Sequence, residues 1–233
     1  MKPKRIILVR HGESQGNVDS TIYDRIPDYA LELTPKGREQ ALNAGKSLKQ
    51  IIGDESVCFY ISPMWRTRST FEQILKGMQI SNPEFNEEPR IREQEWGHLR
   101  SETETAEIIK SRDAYGTFYF RIPDGESAAD VYDRVSDFFG SLHRDFEKED
   151  FPENVIVVSH GLTIRLFLMK WFHWTVEQFE LLANPHNCEI FILEKGEISK
   201  YKLKVPPRKY DSTEHNFQRP VTLPDFSSNA ELK

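Results

Sequence analysis

Residues 5 to 12 read Arg5-Ile6-Ile7-Leu8-Val9-Arg10-His11-Gly12, and residues 155 to 161 read Val155-Ile156-Val157-Val158-Ser159-His160-Gly161. Each stretch is a short apolar run that ends in a histidine followed by a glycine. Apolar runs of this length are typical of strands that are buried on both faces of a parallel sheet. We therefore predict that both stretches are strands, and that each of them delivers an imidazole at the point where it ends.

Helical patterns alternate with the apolar runs along the chain. A further strand is predicted from Val57 to Ile61, which is rich in β-branched and aromatic residues. Proline and capping residues mark helix starts after Thr34-Pro35, at Ser62-Pro63 and at Ser127, and an apolar helix is predicted from Leu162 to Phe172. Strands that alternate with helices predict an α/β fold with helices on both faces of the sheet.

Composition excludes several classes of protein. The chain has 233 residues, and 31 Lys and Arg against 37 Asp and Glu give a net charge of −6, which argues against a nucleic-acid partner. Its apolar runs are too short for a membrane span, and its basic amino terminus lacks the pattern of a signal peptide. Two cysteines cannot form a disulfide scaffold, and they lack zinc-site spacing. We therefore expect a cytoplasmic protein with reduced cysteines.

The carboxyl-terminal end differs from the rest of the chain. After Lys204 the sequence continues with Pro206-Pro207 and then with polar residues that show no periodicity. Such a segment cannot bury enough apolar surface to fold by itself. We therefore predict one domain over residues 1–204 and a polar C-terminal tail over residues 205–233.

Two histidines and two arginines are expected to meet at one edge of the sheet. Open α/β sheets bind ligands beyond the carboxyl ends of their strands, where His11, Arg10 and His160 are predicted to lie. Arg66 is expected in the first turn of the helix that follows the strand Val57 to Ile61. Guanidinium groups present a planar, always-charged fork to phosphate oxygens. The four residues therefore predict a phosphate site.

The residue types suggest phosphoryl transfer. A neutral histidine can attack phosphorus and hold the phosphoryl group covalently, and His11 is our candidate nucleophile. Arg10, Arg66 and His160 would stabilise the charge of the transferring group, and Glu93 is the candidate acid for the leaving oxygen. From spacing alone, a structural histidine and a solvated glutamate are open alternatives. We find no cofactor motif and no metal-binding pattern.

Five motifs in chain order resemble those of the histidine phosphatase superfamily, in its phosphoglycerate-mutase-like branch. The similarity is greatest to phosphoglycerate-mutase-like proteins of plants and fungi. It implies a three-layer α/β/α sandwich with a mainly parallel central sheet and a phosphohistidine mechanism that needs neither metal nor cofactor. It also implies that Glu93 is the acid/base and that Asn17 helps to bind phosphate. The motifs are Arg10 to Asn17, Ser62 to Thr70, Ile91 to Gly97, Gly125 to Val135 and Ser159 to Gly161.

The branch that the chain resembles contains both mutases and phosphatases. Mutases usually have asparagine where this chain has Leu162, and tryptophan where it has Gly16. The stretch between Glu93 and Gly125 is also shorter than the segment that encloses the substrate in mutases. We therefore predict a phosphatase. A phosphoglycerate mutase, or a regulatory protein that binds through a retained phosphate pocket, are the alternatives.

Aromatic residues are expected around the phosphate site. The loop from Tyr23 to Tyr29, the stretch from Trp96 to Arg100, and Phe120 with Arg121 are the predicted rim. Aromatics there indicate either a substrate with an organic moiety or a packed lid. Arg121 is a candidate contact for a second anionic group. The expected partner is thus a small phosphorylated substrate, and the sequence predicts no oligomeric state.

Overall fold

The central sheet has six strands in the part of the chain that the computed structural model describes, which is residues 2–97, 102–197 and 200–210. The strand order is β3-β2-β4-β1-β5-β6. The first four strands in this order run parallel to one another, whereas the last two are antiparallel to their neighbours. The strands are β1 (Arg5–Arg10), β2 (Val57–Ile61), β3 (Glu84–Glu87), β4 (Asn154–Ser159), β5 (Ile190–Lys195) and β6 (Tyr201–Leu203).

Helices connect the parallel strands. Thr34 accepts a hydrogen bond from the Gly37 N–H at the start of the second helix, and Ser127 and Asp130 form the predicted capping box of the fifth. The helix predicted at Ser62-Pro63 begins later, at Trp65, because Met64 is still extended. The helices are α1 (Gln15–Val18), α2 (Pro35–Ile52), α3 (Trp65–Met78), α4 (Glu102–Tyr115), α5 (Ala128–Asp145), α6 (Gly161–Phe172) and α7 (Val176–Glu180). Short 3₁₀ turns span Ser20–Asp24, Asp28–Ala30 and Pro89–Ile91.

Alternate residues of the central strands pack into two separate apolar cores. Ile7 and Val9 of β1 lie in one core with side chains of α2 and α3, whereas Ile6 and Leu8 lie in the other with α5 and α6. Burying each such side chain contributes about 1.5–3 kcal/mol. Period-two alternation between two cores requires helices on both faces of the sheet. The predicted three-layer α/β/α fold is therefore confirmed.

The register of the sheet brings the two predicted histidines together. β1 pairs in parallel with β4 so that Arg10 lies opposite Ser159, and the next residue on each strand is a histidine. The His11 N–H donates to the Ser159 carbonyl at 3.0 Å, which continues the pairing past the strand ends. On the other side of β4, the Ser62 N–H donates to the Val158 carbonyl. The ends of three strands thus form one floor.

The first residues of the predicted tail contact the rest of the chain. Lys209 forms an isolated bridge with Leu182, and backbone hydrogen bonds join Ala183 to Arg208 and Tyr210 to Leu181. Residues 211–233 lie outside the described residues, so the division at residue 204 stays a prediction. Among the helices described, none combines the length and the apolar character that a membrane crossing requires.

Candidate active site

His11 and His160 face each other on the floor formed by the strand ends. Their ring centroids are 5.3 Å apart, and the two residues are 2% and 0% exposed. The Nδ1 atom of His11 lies 2.7 Å from the carbonyl oxygen of Gly12. A carbonyl can only accept a hydrogen bond, so this contact places the ring proton of neutral His11 on Nδ1. The Nε2 atom then keeps a lone pair, which is what a nucleophile needs.

Both imidazoles are held in the neutral form. Burial lowers the pKa of His11 well below its usual value, and the charges of Arg66 and Arg10 lower it further. Burial, Arg66 and His11 act in the same direction on the pKa of His160. The two guanidinium groups supply the positive charge that attracts an anion. The neutral imidazoles meanwhile keep their ring lone pairs free of protons.

Ser62 holds the second imidazole. Its hydroxyl oxygen lies 2.8 Å from His160 Nε2, and the residue is fully buried at the end of β2. When the hydroxyl donates to Nε2, the ring proton of His160 is on Nδ1, the atom on the Glu93 side. His160 Nδ1 has no hydrogen-bond partner among the described residues, and the residue is fully buried.

Glu93 completes the group. Its Oε2 atom lies 3.7 Å from His160 Nδ1, and its Oε1 atom accepts a hydrogen bond from the Gln94 N–H at 3.1 Å. Burial raises the pKa of the Glu93 carboxyl, although the positive charge of Arg66 acts in the opposite direction. A carboxyl with a raised pKa can carry a proton to a leaving oxygen.

Arg134 fixes the backbone that carries Glu93. From α5, its guanidinium donates to the carbonyl oxygens of Arg90, Arg92 and Glu93 at 2.7, 2.9 and 3.0 Å. It also pairs with both carboxylate oxygens of Glu126, at 3.0 and 2.9 Å. A planar group with five N–H donors can make all these bonds at once. The position of Glu93 therefore depends on a helix that contributes no side chain to the cavity lining.

The two predicted arginines have different surroundings. Arg10 is partly buried at the end of β1, and its Nε atom has no hydrogen-bond partner among the described residues. Arg66, which is 4% exposed in the first turn of α3, pairs with both carboxylate oxygens of Asp28 at 3.0 and 3.2 Å. The terminal nitrogens of Arg66 are thus partly occupied by Asp28, which belongs to the predicted rim loop from Tyr23 to Tyr29 but was given no role of its own.

Asn17 lies at the edge of the site and is the last residue but one of α1. Its side-chain oxygen accepts hydrogen bonds from the Ser14 N–H and from Asn187 Nδ2, both at 3.1 Å. Asn187 Nδ2 is also 3.1 Å from the His11 carbonyl oxygen. Asn187 therefore links the predicted nucleophile to Asn17, and nothing in the sequence pattern around it indicated this role.

Arg10, His11, Asn17, Arg66 and Glu93 line a cavity of about 440 Å³, whereas His160 is fully buried and is not part of the lining. Its lining includes Trp96, as predicted for the rim, whereas Phe120 and Arg121 are not part of the lining. Their role at the substrate rim stays a prediction. Phe120 packs edge-on against Tyr115, and Arg121 is bound to Asp130 near the start of α5. Residues 98–100 of the predicted rim lie outside the described residues.

His11, Glu93 and His160 also have the spacing of a metal site, because one ligand atom from each lies within 4.8 Å of the others. The surrounding charges favour a different ligand. Arg10 and Arg66 both lower the pKa of His11, which shows that their positive field reaches the centre of the group. A positive field disfavours a cation and favours an anion such as phosphate.

Comparison with known proteins identifies the family. The sequence profile described as "Histidine phosphatase superfamily (branch 1)" matches residues 6–203. The chain belongs to the histidine phosphatase superfamily. The matched residues run from β1 to β6 and include every residue that forms the group around His11 and His160. The resemblance seen in the motifs is thereby confirmed.

Relatives of the chain include a phosphoglycerate mutase-like protein and an acid phosphatase. A phosphoglycerate mutase-like protein of Arabidopsis thaliana is 43% identical over 221 residues, which is 88% of this chain and 79% of that protein. A broad-range acid phosphatase of Saccharomyces cerevisiae is 32% identical. The match covers 91% of this chain and 92% of that protein. The superfamily membership and this second relative support a hydrolase.

Solved structures confirm the fold. A mycobacterial glucosyl-3-phosphoglycerate phosphatase superposes with a TM-score of 0.69 at 21% identity, covering 87% of this chain and 97% of its own. A structure called mycobacterial hydrolase 1 gives a TM-score of 0.68 at 22% identity, over 89% and 99% of the two chains. At such low identity these similarities show the architecture alone.

Proposed function

We propose that the protein is a metal-independent, cofactor-independent phosphatase that hydrolyses a small phosphomonoester through a phosphohistidine on His11. The contact between His11 Nδ1 and the Gly12 carbonyl carries the proposal, because it directs the lone pair of Nε2 away from the backbone. The lowered pKa of His11 keeps that lone pair free of a proton. A neutral, buried and oriented imidazole is suited to nucleophilic attack on phosphorus.

The reaction has two steps. In the first, His11 Nε2 forms a bond to phosphorus, the bond between phosphorus and the ester oxygen breaks, and protonated Glu93 gives its proton to the departing alkoxide. In the second, ionised Glu93 accepts a proton from water, the water oxygen bonds to phosphorus, and the phosphorus–nitrogen bond breaks. Inorganic phosphate leaves, and His11 and Glu93 return to their starting forms.

Four side chains would hold the transferring group. Arg10 offers the Nε–H that lacks a partner within the described chain, and His160 offers Nδ1–H on the Glu93 side. Arg66 contributes charge from the first turn of α3, and Asn17 lines the cavity next to Arg10 and His11. Donors fixed before the substrate arrives stabilise the charge that spreads over the equatorial oxygens in the transition state.

The pKa shifts predict where activity lies on the pH scale. His11 must be neutral, and its lowered pKa keeps it neutral into the acid range. Glu93 must be protonated in the free enzyme, and activity is lost as the pH rises through its raised pKa. The two directions together give a bell-shaped pH–rate profile, with an acid limb set by His11 and an alkaline limb set by Glu93.

The test is turnover of p-nitrophenyl phosphate in the presence of EDTA by wild type, His11→Ala and a control, His173→Asn. His173 is exposed and has a positive φ of 54°, a conformation that asparagine tolerates. We expect activity in wild type and His173→Asn and its loss in His11→Ala. Equal activity in all three would refute the nucleophile. Conversion of 3- to 2-phosphoglycerate faster than hydrolysis would identify a mutase instead.

A further inference from the structure

The cavity has two halves with different chemistry. The inner half is the part lined by Arg10, His11, Asn17, Arg66 and Glu93, the proposed phosphate site. The outer half is lined by two further parts of the chain. The segment that contains the turns Ser20–Asp24 and Asp28–Ala30 contributes Ser20, Thr21, Tyr23, Asp24 and Asp28. The segment that leads into α4, and α4 itself, contribute Trp96, Thr105, Ala106 and Ile109.

The positive charge of the described lining is confined to the inner half. Arg10 and Arg66 are the only Lys or Arg residues among the described residues that line the cavity. Arg66 is already paired with Asp28. Asp24, which is exposed, adds a second carboxylate to the lining. The guanidinium of Arg112 lies outside the lining, over the Trp96 ring, and is paired with Asp113. A substrate with one phosphate would meet Arg10 and Arg66, whereas a second anionic group near Asp24 would meet no further Lys or Arg among the described lining residues.

Hydroxyl groups make the outer half suitable for an uncharged polar ligand. Burial raises the pKa of Tyr23 to about 12, so its phenol stays protonated and can donate a hydrogen bond. The Thr21 hydroxyl donates to Asp19 at 2.6 Å, but its oxygen can still accept a hydrogen bond, and the Asp24 carboxylate can accept one from a ligand hydroxyl. Trp96, over whose ring the Arg112 guanidinium lies at 5.5 Å from the centroid, adds an aromatic side chain to the lining that can contact a carbon skeleton.

We infer that the substrate carries one phosphate on an uncharged, hydroxylated skeleton, and that Asp24 rejects substrates with a second anionic group. The inference rests on the proposed function, because it concerns the organic part of the same phosphomonoester. It separates this chain from an enzyme built for phosphoglycerate, whose carboxylate would lie against the carboxylate of Asp24. Like charges at close range cost binding energy unless water or a cation separates them.

A matched pair of ligands tests the inference. Glycerol 3-phosphate and 3-phosphoglycerate share a three-carbon phosphate skeleton, and differ in that one carries a terminal CH₂OH and the other a carboxylate. Their dissociation constants would be measured by calorimetry on His11→Ala, which cannot form the covalent intermediate, and on the same variant with Asp24→Asn added. Asp150→Asn in place of Asp24→Asn is the control, because it removes an exposed carboxylate that is not part of the cavity lining.

We expect glycerol 3-phosphate to bind at least about tenfold more tightly, and Asp24→Asn to reduce that ratio at least about threefold, while Asp150→Asn leaves it unchanged. Equal binding, tighter binding of 3-phosphoglycerate, a ratio insensitive to Asp24→Asn, or binding of neither ligand at millimolar concentration would each overturn the inference. Turnover of p-nitrophenyl phosphate by wild type reports separately on the proposed function, so the two failures are distinguishable.

Discussion

Replacement of Arg134 by alanine tests the most connected interaction in the site. Five hydrogen bonds of 2.7 to 3.0 Å join its guanidinium to three backbone carbonyls and to Glu126. The Arg134 and Glu126 side chains are only 11% and 15% exposed, and the change removes a donor from three backbone carbonyl oxygens, while Glu126 keeps Arg92 and the Glu95 N–H, each at 3.0 Å. A buried polar group that loses its hydrogen-bond partner costs about 1–3 kcal/mol. We expect a loss of that size in the free energy of unfolding.

Activity should fall along with stability, because Arg134 holds the carbonyl of Glu93 itself. A displacement of an acid/base group by about 1 Å costs about a hundredfold in rate. We therefore expect kcat for p-nitrophenyl phosphate to fall about a hundredfold under conditions where the variant is folded. Arg134→Lys keeps the charge without the planar fork and should give an intermediate loss of both quantities.

Urea unfolding and steady-state kinetics on the same preparations measure these effects. Arg121→Ala is the matched control, because Arg121 also pairs with a carboxylate near the start of α5, that of Asp130, but its side chain is 60% exposed. An exposed pair contributes about 0–1 kcal/mol, so this control should be nearly neutral. If Arg134→Ala unfolds within 1 kcal/mol of wild type and keeps its kcat, the reasoning about Glu93 is refuted.

Three further changes have defined outcomes. Asp28→Asn should lower the pKa of Glu93, because the Asp28 charge raises it, and so should move the alkaline limb of the kcat/KM pH profile to lower pH. Ser62→Ala should lower kcat about tenfold with little change in KM, because it removes the hydrogen bond to His160 Nε2. Gly37→Ala should cost about 1–3 kcal/mol, because its Cβ would meet the backbone carbonyl of Glu13, whereas Gly140→Ala should be neutral or stabilising.

Each of these outcomes has a clear contrary result. An alkaline limb that stays in place or moves to higher pH would mean that Asp28 does not act on Glu93. A Ser62→Ala variant with wild-type kcat would show that the proton of His160 is placed by another group. Equal unfolding free energies of the Gly37 and Gly140 variants would contradict the close contact between Gly37 and Glu13.

The elements that the sequence predicted are those that leave a local pattern. The buried strands β1 and β4 are continuous apolar runs. A histidine directly follows each strand, so the end of the apolar run gives the position of that histidine. Parallel pairing then brings His11 and His160 together without further information. The capping box at Ser127 is likewise contained within four residues. Local patterns were sufficient for the fold and for the two histidines.

The residues that sequence reasoning missed make contacts between distant parts of the chain. Asp28 and Arg66 are 38 residues apart, Ser62 and His160 are 98 apart, and Asn187 and His11 are 176 apart. Periodicity and spacing report only on neighbours, so they cannot show such pairs.

The aromatic cluster near Phe120 could not be placed from the sequence for a related reason. Phe118 packs inward against Phe179 and Tyr132, whereas Tyr115 and Tyr119 are exposed, and sequence alone could not distinguish these positions. Glu93 stood among other glutamates, and only the structure shows that it contacts the histidine group.

We propose that His11 carries the phosphoryl group during turnover. The most direct test is rapid quenching without acid, followed by mass spectrometry of the peptides. Wild type mixed with p-nitrophenyl phosphate and quenched in alkali, in which phosphohistidine survives, should give a phosphorylated peptide that contains His11. The peptide that contains His160 should stay unmodified. A phosphoryl group on any other residue would contradict the mechanism. Hydrolysis of p-nitrophenyl phosphate by His11→Ala at the wild-type rate would contradict it as well.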